Sequence, residues 1–324
     1  MTSYQSAGVD IEGATRHVRA IASSVTSTWG PDVVGTFGGF AAGIRIPPGY
    51  TSPILMMTTD GVGTKLELAR RSGRWDGVGH DLVAMCVDDL AATGARPIGF
   101  VDYMAVGSLN PIRDETIVAS IAEACLKVGA PLLGGETAEH PGVMEPDAVD
   151  LAATALGVVE EEGILGAHLV EEGDKVVGLL SPNLRSNGFS LIRKLFEHDL
   201  DNYIELFLEP SVLYSPMVLE AVVGGGVHAA AHITGGGIVE NLPRVIPDGL
   251  GALIDTGSWE TPPVFNLVSS RGVADEEMYR TFNMGIGFCL IVDNSAVDRI
   301  IARLGDSEAR VIGSITASGG LTLA

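Results

Sequence analysis

The stretch TTDGVGTKLELA, Thr58 to Ala69, follows the apolar run Pro53–Met57 and places an acid, two glycines, a threonine and a lysine within positions 60–65. A short apolar run that ends in Asp-Gly reads as a buried strand with a turn after it, as in a chain that alternates strand and helix. The loop is no Walker loop, because it lacks the upstream glycine of GxxxxGKS or GxxxxGKT. It is no dinucleotide fingerprint either, since Lys65-Leu66 does not supply the third glycine. What remains is a strand-end loop in which Gly61 and Gly63 expose N–H groups, Lys65 adds a point charge, and Asp60 can hold a divalent cation on phosphate oxygens. An ordinary strand-to-helix turn has the same residue types, so both readings stand at this point.

Outward from this loop the alternation continues. Asp81–Thr93 reads as a helix closed by Gly94, and Pro97–Val106 as the next strand. Asn110-Pro111 supplies an N-cap and a first-turn proline; Ile117, Ile121, Cys125 and Val128 recur at helical spacing, and Gly129 stops the helix. Pro131–Leu133 leads as a strand into GGETAEHPG, and Leu151–Val159 is another strand. At EEEGILGAHLVEEGDK charge and glycine replace the apolar runs, so the spacing divides the chain into residues 1–164 and 165–324. The second part has strand patterns at Lys175–Leu180, His228–Ile233, Gly251–Ile254 and Met284–Val292. Its helical patterns fall at Ser190–Glu197, Ser215–Val223, Ile238–Val245 and Ala296–Leu304. Two domains also suit 324 residues, since one core usually serves about 100–150.

Twenty basic residues face 41 acidic ones, a formal net charge of −21, so the long-range field repels nucleic acid and anionic membrane. An anionic substrate must then be met locally, by backbone N–H groups, a few Lys or Arg, or bound cations. Cys86, Cys125 and Cys289 are too few and scattered for a disulfide framework or a zinc site. No segment approaches the roughly 20 apolar residues of a membrane span, and the N-terminal stretch has no continuous apolar region, so a soluble cytoplasmic protein is expected.

Three further loops carry chemistry-bearing residues. In HDLVAMCVDDLAATGA, Asp81 and Asp88 fall on nearly one helical face with Asp89 beside them. Acids in so apolar a helix must be paired, hydrogen-bonded, on metal, or turned to solvent at the helix end. In LLGGETAEHPG, Gly134 and Gly135 precede Glu136 and Thr137, a second carboxylate at a strand end. Carboxylates from separate strand ends can converge on one Mg²⁺, although a hydrogen-bonded turn also suits each alone. In RSNGFSLIRK and HITGGGIVENLPR, small polar residues and glycines precede a helix, so N–H groups can take an anion, with Arg185, Arg193 or Arg244 nearby. A lone His232 at a strand end reads as structural before catalytic, for no nucleophile stands near it in sequence.

Taken together, DGVGTKL, DLVAMCVDDL, GGETAEHPG, SNGFSLIRK, HITGGGIVENLPRVIP and EMYRTFNMGIGF resemble the phosphoribosylformylglycinamidine cyclo-ligases, the aminoimidazole ribonucleotide synthetases. The match begins at SYQSAGVDIEG and runs in order almost to the C-terminus. The resemblance implies an α/β fold of the α+β type in two domains. The first has a mixed sheet that pairs with its twin in a homodimer to close a β-barrel; the second covers the cleft. It implies ATP-dependent ring closure of formylglycinamidine ribonucleotide, through a phosphorylated imidate and with release of ADP and phosphate. No covalent enzyme nucleophile is expected.

By the same resemblance Asp60, Asp89 and Glu136 would hold Mg²⁺ on the ATP phosphates, as part of a catalytic set that includes Lys65. Gly61, Gly63, Thr64 and Lys65, with Gly134, Gly135 and Thr137, would bind ATP. Arg185, Ser186, Asn187, Gly188, His232, Thr234, Gly235, Gly236 and Gly237 would bind the ribonucleotide. Three positions depart from the family pattern: Gln5, followed by Ser6, where lysine is common; Arg185 in place of histidine; and Val212 in place of arginine. Arg185 would restore the charge lost at 212 if the two lie together. The alternative left open is a paralogue that turns the same Mg-ATP site on another small acceptor, as relatives making thiamine diphosphate or selenophosphate do. An inactive nucleotide-binding protein fits less well, because all three metal carboxylates are present.

Overall fold

The computed structural model describes residues 11–305 and 308–324; Gln5 and Ser6 lie outside them. A two-stranded ribbon, β1 (Val33–Val34) and β2 (Gly43–Ile44), precedes the first main sheet. That sheet contains β3 (Pro53–Gly61), β4 (Arg96–Val106), β5 (Leu132–Glu139) and β6 (Val149–Glu160) in the order β3-β6-β4-β5. β6 runs antiparallel to both β3 and β4, while β4 and β5 are parallel, so the sheet is mixed. The second sheet has β7 (Lys175–Leu180), β8 (Val227–His232), β9 (Gly251–Ile254), β10 (Ile286–Val292), β11 (Ala309–Thr316) and β12 (Gly320–Leu323). Its order is β12-β9-β11-β7-β10-β8, antiparallel except for the β12/β9 pair.

Helices α1 (Ile11–Ser27), α2 (Lys65–Ser72), α3 (Val78–Ala92) and α4 (Pro111–Val128) belong to the first domain. The α4 boundaries follow from local chemistry: the Asn110 side chain accepts from Arg113 N, Pro111 occupies the first turn, and Gly129 closes the helix at φ 69°. α3 is apolar on nearly every side and runs through the interior, crossing α4 closely enough that a Cβ on Gly79 would sit 2.2 Å from Ile121 N. In the second domain α5 (Phe189–Leu195), α6 (Ile204–Phe207), α7 (Ser215–Val223) and α8 (Gly237–Asn241) lie between β7 and β9. One apolar core joins Leu82, Cys86 and Ile121 of the first domain to Phe189, Phe196 and Phe265 of the second. The inter-domain seam is therefore packed. No described helix is long and apolar enough to cross a membrane.

The four-stranded sheet buries one face only. Leu151, Ala153 and Ala155 of β6, with Phe100 and Met104 of β4, face the helices and are buried. The opposite face leaves Leu55, Met57, Val101 and Tyr103 exposed, Met57 to 71%. An uncovered apolar sheet face of this kind is ordinarily met by another surface.

On the helix-facing side Asp102 lies level with Ala153 and Gly135. Burial pushes its carboxyl up to about 7, against about 3.9 in an unfolded chain. Between these values the native state keeps a proton that the unfolded state has released, so stability falls as pH rises through the window. Thermal unfolding at about pH 5 and about pH 7 should therefore show a loss that Asp102→Asn flattens. The same slope in both proteins would contradict this assignment.

Candidate active site

Asp60 is the penultimate residue of β3 and Asp89 lies in the last turn of α3, and the two are electrostatic neighbours at the domain boundary. Asp60 Oδ1 accepts from Gly61 N at 2.7 Å. Its pKa is raised, first by partial burial and then by the Asp89 charge, while the Gly61 N–H and His232 act in the opposite sense. Asp89 is half-exposed; its Oδ1 lies 2.9 Å from His232 Nδ1, and Thr58 Oγ1 approaches Oδ2 at 3.5 Å. His232, at the end of β8, is otherwise buried against the Phe288 ring. It thus brings the second domain to the first domain's carboxylates, a structural task that its sequence neighbours did not reveal.

The glycine loops meet around this pair. Thr64 Oγ1 lies 3.2 Å from Ser190 Oγ, joining the loop after β3 to the start of α5. Gly63 is exposed, has φ 71° and has nothing within 4 Å of an added Cβ. Asn187 Oδ1 is 3.5 Å from where a Gly235 Cβ would sit, which places the Ser186–Gly188 and Thr234–Gly237 loops side by side. Asn241 Nδ2 donates to the carbonyls of Gly235 and Gly237 at 3.1 and 2.9 Å and holds the second loop in shape. Gly237 has φ 60°, and a Cβ there would lie 2.0 Å from Tyr279 O, so no other residue fits. Gly236, at φ 96°, opens α8 beside it.

Three expectations are corrected. Lys65 does not face the phosphate loop: its ammonium is fully buried, 2.7 Å from Asp81 Oδ2, and donates to Arg185 O at 3.1 Å and Glu209 O at 2.8 Å. One ion pair and two carbonyls thus hold it. Arg185 is likewise fully buried, with Nη2 2.7 Å from Asp88 Oδ2, Nη1 on Gly287 O and the guanidinium 4.7 Å from the Tyr214 ring centroid. It is withdrawn from any ligand in the cleft. Finally, Glu136 does not converge with Asp60 and Asp89. Register aligns Asp60, Ala153, Asp102 and Gly135 across the sheet, so Glu136 points to the opposite, uncovered face beside Tyr103. Three strand spacings, roughly 14 Å, also separate the two positions. Among the described residues no group of three or more His, Cys, Asp or Glu is arranged to hold a metal.

The other residues expected at ATP, Gly134, Gly135 and Thr137, sit on β5 with Glu136. Gly135 lies against Asp102, whose Oδ1 would be 2.2 Å from an added Cβ, while Gly134 has open space beside it. Thr137 Oγ1 is 3.2 Å from His17 Nε2 of α1.

The burial of Asp81 and Asp88 has one explanation. Asp81 Oδ1 accepts from Ser211 N and Oγ at 2.9 and 2.6 Å, and Asp88 Oδ1 accepts from Tyr214 N and Ser215 N at 2.9 and 2.8 Å. Each carboxylate grips the 211–215 segment of the second domain with one oxygen and a buried cation with the other. Neither turns to solvent, and neither is free for a metal. Arg185 and Val212 do lie together, with Arg185 Nη2 3.3 Å from Val212 O, but the guanidinium charge is paired with Asp88.

This arrangement, a mixed-sheet domain joined to a second α/β domain with carboxylates and glycine loops at the seam, is that of an AIR synthase related protein. The N-terminal domain of that family matches residues 39–159 and the C-terminal domain residues 171–324. The chain is 44% identical over 333 residues to a phosphoribosylformylglycinamidine cyclo-ligase of Synechococcus sp. (strain CC9311), covering 98% of this chain and 96% of the relative. It is also 44% identical over 331 residues to the enzyme of that name from Carboxydothermus hydrogenoformans, covering 97% and 96%. The chain belongs to the phosphoribosylformylglycinamidine cyclo-ligase family. Solved structures share the fold at lower identity. Thiamine-monophosphate kinase from Stenotrophomonas maltophilia K279a superposes with TM-score 0.70 at 19% identity, covering 96% of this chain and 95% of that one. HypE of E. coli gives 0.68 at 17%, covering 94% and 93%.

Proposed function

We propose that the cleft between the two domains binds Mg-ATP through Asp60 and Asp89 and closes the imidazole ring of aminoimidazole ribonucleotide from formylglycinamidine ribonucleotide. The chain is an ATP-dependent ligase of purine biosynthesis. The observation that carries the site reading is the Asp60–Asp89 pair where three glycine loops meet.

The donor set fits Mg²⁺. Two hard carboxylates, Asp60 partly buried and its pKa also raised by the neighbouring Asp89 charge, gain from a divalent cation, and Mg²⁺ usually takes one or two protein carboxylates and leaves the rest to water and phosphate. Bound Mg-ATP supplies the phosphoryl group that makes the formyl oxygen a leaving group. His232 fixes Asp89 through its Nδ1, so that carboxylate is oriented before any ligand arrives. Within the Gly61–Thr64 loop, the Gly61 N–H is held by Asp60 and the Val62 N–H by Leu151 O, which leaves the exposed Gly63–Thr64 backbone to favour negative charge as it develops beside it. The Ser186–Gly188 and Thr234–Gly237 loops together offer backbone donors to the ribose phosphate. Ser186 Oγ is buried without a protein partner, a vacant polar atom within this wall.

Cysteine nucleophiles fit poorly. Cys86 is pushed up to about 12 by burial, and Cys125 and Cys289 are raised by the same cause. Positioning and electrostatics then carry the reaction. The alternative acceptor loses support as well, since Arg185 does not reach the cleft and its departure from the family pattern alters no ligand contact directly. The test is a turnover assay with Mg-ATP and formylglycinamidine ribonucleotide: aminoimidazole ribonucleotide and ADP should appear in equal amounts. Mg-ATP binding without aminoimidazole product would favour another acceptor.

The exposed Leu55–Met57–Val101–Tyr103 face supports a homodimer closed through the first sheet into a barrel. Met57→Asp should then give a monomer in sedimentation at concentrations where the unmodified protein is a dimer. A Met57→Asp protein that remains dimeric would move the interface elsewhere.

A further inference from the structure

Arg185 is tied to both domains through its two terminal nitrogens, while its buried Nε has no protein partner. Its guanidinium binds Asp88 of α3 and the Gly287 and Val212 carbonyls of the second domain. Its own N–H donates to Asn183 Oδ1 at 3.0 Å, and its carbonyl accepts from Lys65 at 3.1 Å. It also has φ 59°, a left-handed backbone that is uncommon outside glycine and persists only where surrounding contacts impose it. The next three residues are Ser186, Asn187 and Gly188. The anchor partner, Asp88, is adjacent in sequence to Asp89, the carboxylate held by His232, and His232 Nε2 itself stands 3.9 Å from Asp88 Oδ2. Consecutive residues of one rigid helix therefore fix both the ribonucleotide loop and the metal carboxylate.

We infer that Arg185 is a positioning residue for ring closure, setting the Ser186–Gly188 loop against Asp89 without touching substrate. This rests on the cyclo-ligase reading of the cleft. A misplaced loop presents the ribonucleotide at the wrong distance from the nucleotide phosphates, and small displacements of this kind cost heavily in rate. Mg-ATP binding, which draws on Asp60, Asp89 and the loop after β3, is left largely alone.

The experiment compares the unmodified protein with Arg185→Lys and with Arg185→Gln/Asp88→Asn. The double variant keeps an acceptor for Tyr214 N and Ser215 N while leaving no unpaired buried charge, so it folds even if the single variant does not. In both, KM for formylglycinamidine ribonucleotide should rise tenfold or more and kcat should fall, while the Kd for Mg-ATP stays within twofold. A lower Tm with an unchanged ribonucleotide KM would make Arg185 a purely structural residue and overturn the inference. Equal weakening of both ligands would overturn it too. Failure of the cyclo-ligase reading itself would show separately, as absence of aminoimidazole ribonucleotide from the unmodified protein.

Discussion

Replacing Asp89 with asparagine should lower kcat/KM by about 10³-fold, equivalent to about 4 kcal/mol of lost charge stabilisation at the metal, while the fold survives. The side chain is half-exposed, so the change buries no new polar group, and the asparagine oxygen can still accept from His232 Nδ1. What disappears is one negative charge. Asp60 alone then faces the cation, and Mg-ATP affinity should fall with turnover. Calorimetric titration with Mg-ATP beside a steady-state assay reads both effects. Turnover within threefold of the unmodified protein would remove Asp89 from the metal site.

The second large effect is on stability. Lys65→Met should cost about 3–5 kcal/mol, because it leaves the Asp81 carboxylate buried without its cation. Burial lowers the Lys65 pKa, and the Asp81 carboxylate is the largest influence opposing that shift. Lys65→Met/Asp81→Asn removes the stranded charge, keeps an acceptor for Ser211, and should recover most of the loss. Denaturant unfolding of the three proteins measures this directly. If Lys65 served phosphate instead, the single variant would keep its stability and lose Mg-ATP affinity.

The sequence made legible what local chemistry decides. The Asn110 cap, Pro111 and Gly129 framed α4 to the residue, and Lys175–Leu180, Ser215–Val223 and Gly251–Ile254 stand where periodicity put them. β5 runs farther than expected, to Glu139, because parallel pairing with β4 carries the chain through Gly134 and Gly135, which read locally as a break. β11 and β12 escaped notice: Arg310, Gly313 and Gly320 interrupt their apolar pattern, and pairing with β7 and β9 supplies the order.

The site divides along the same line. Asp60 and the glycine loops announced themselves as strand-end and helix-start features, which short motifs encode. The partners of Lys65 and Arg185 did not, since Asp81 and Asp88 lie 16 and 97 residues away in sequence and meet them only through the packing of α3 beneath the 211–215 segment. A cation in a glycine-rich stretch looks the same whether it waits for phosphate or for a buried acid. Glu136 was misplaced for a related reason: strand-end acids converge only when their pleats agree, and register is a long-range property.

On the proposed reading, this cleft activates the formyl oxygen of formylglycinamidine ribonucleotide for displacement by an internal nitrogen. Substrate carrying ¹⁸O in the formyl group, converted in a single turnover with Mg-ATP, tests it most directly. One ¹⁸O is expected in each inorganic phosphate released, in step with aminoimidazole ribonucleotide. Product formed with the label in water, and none in phosphate, would contradict it.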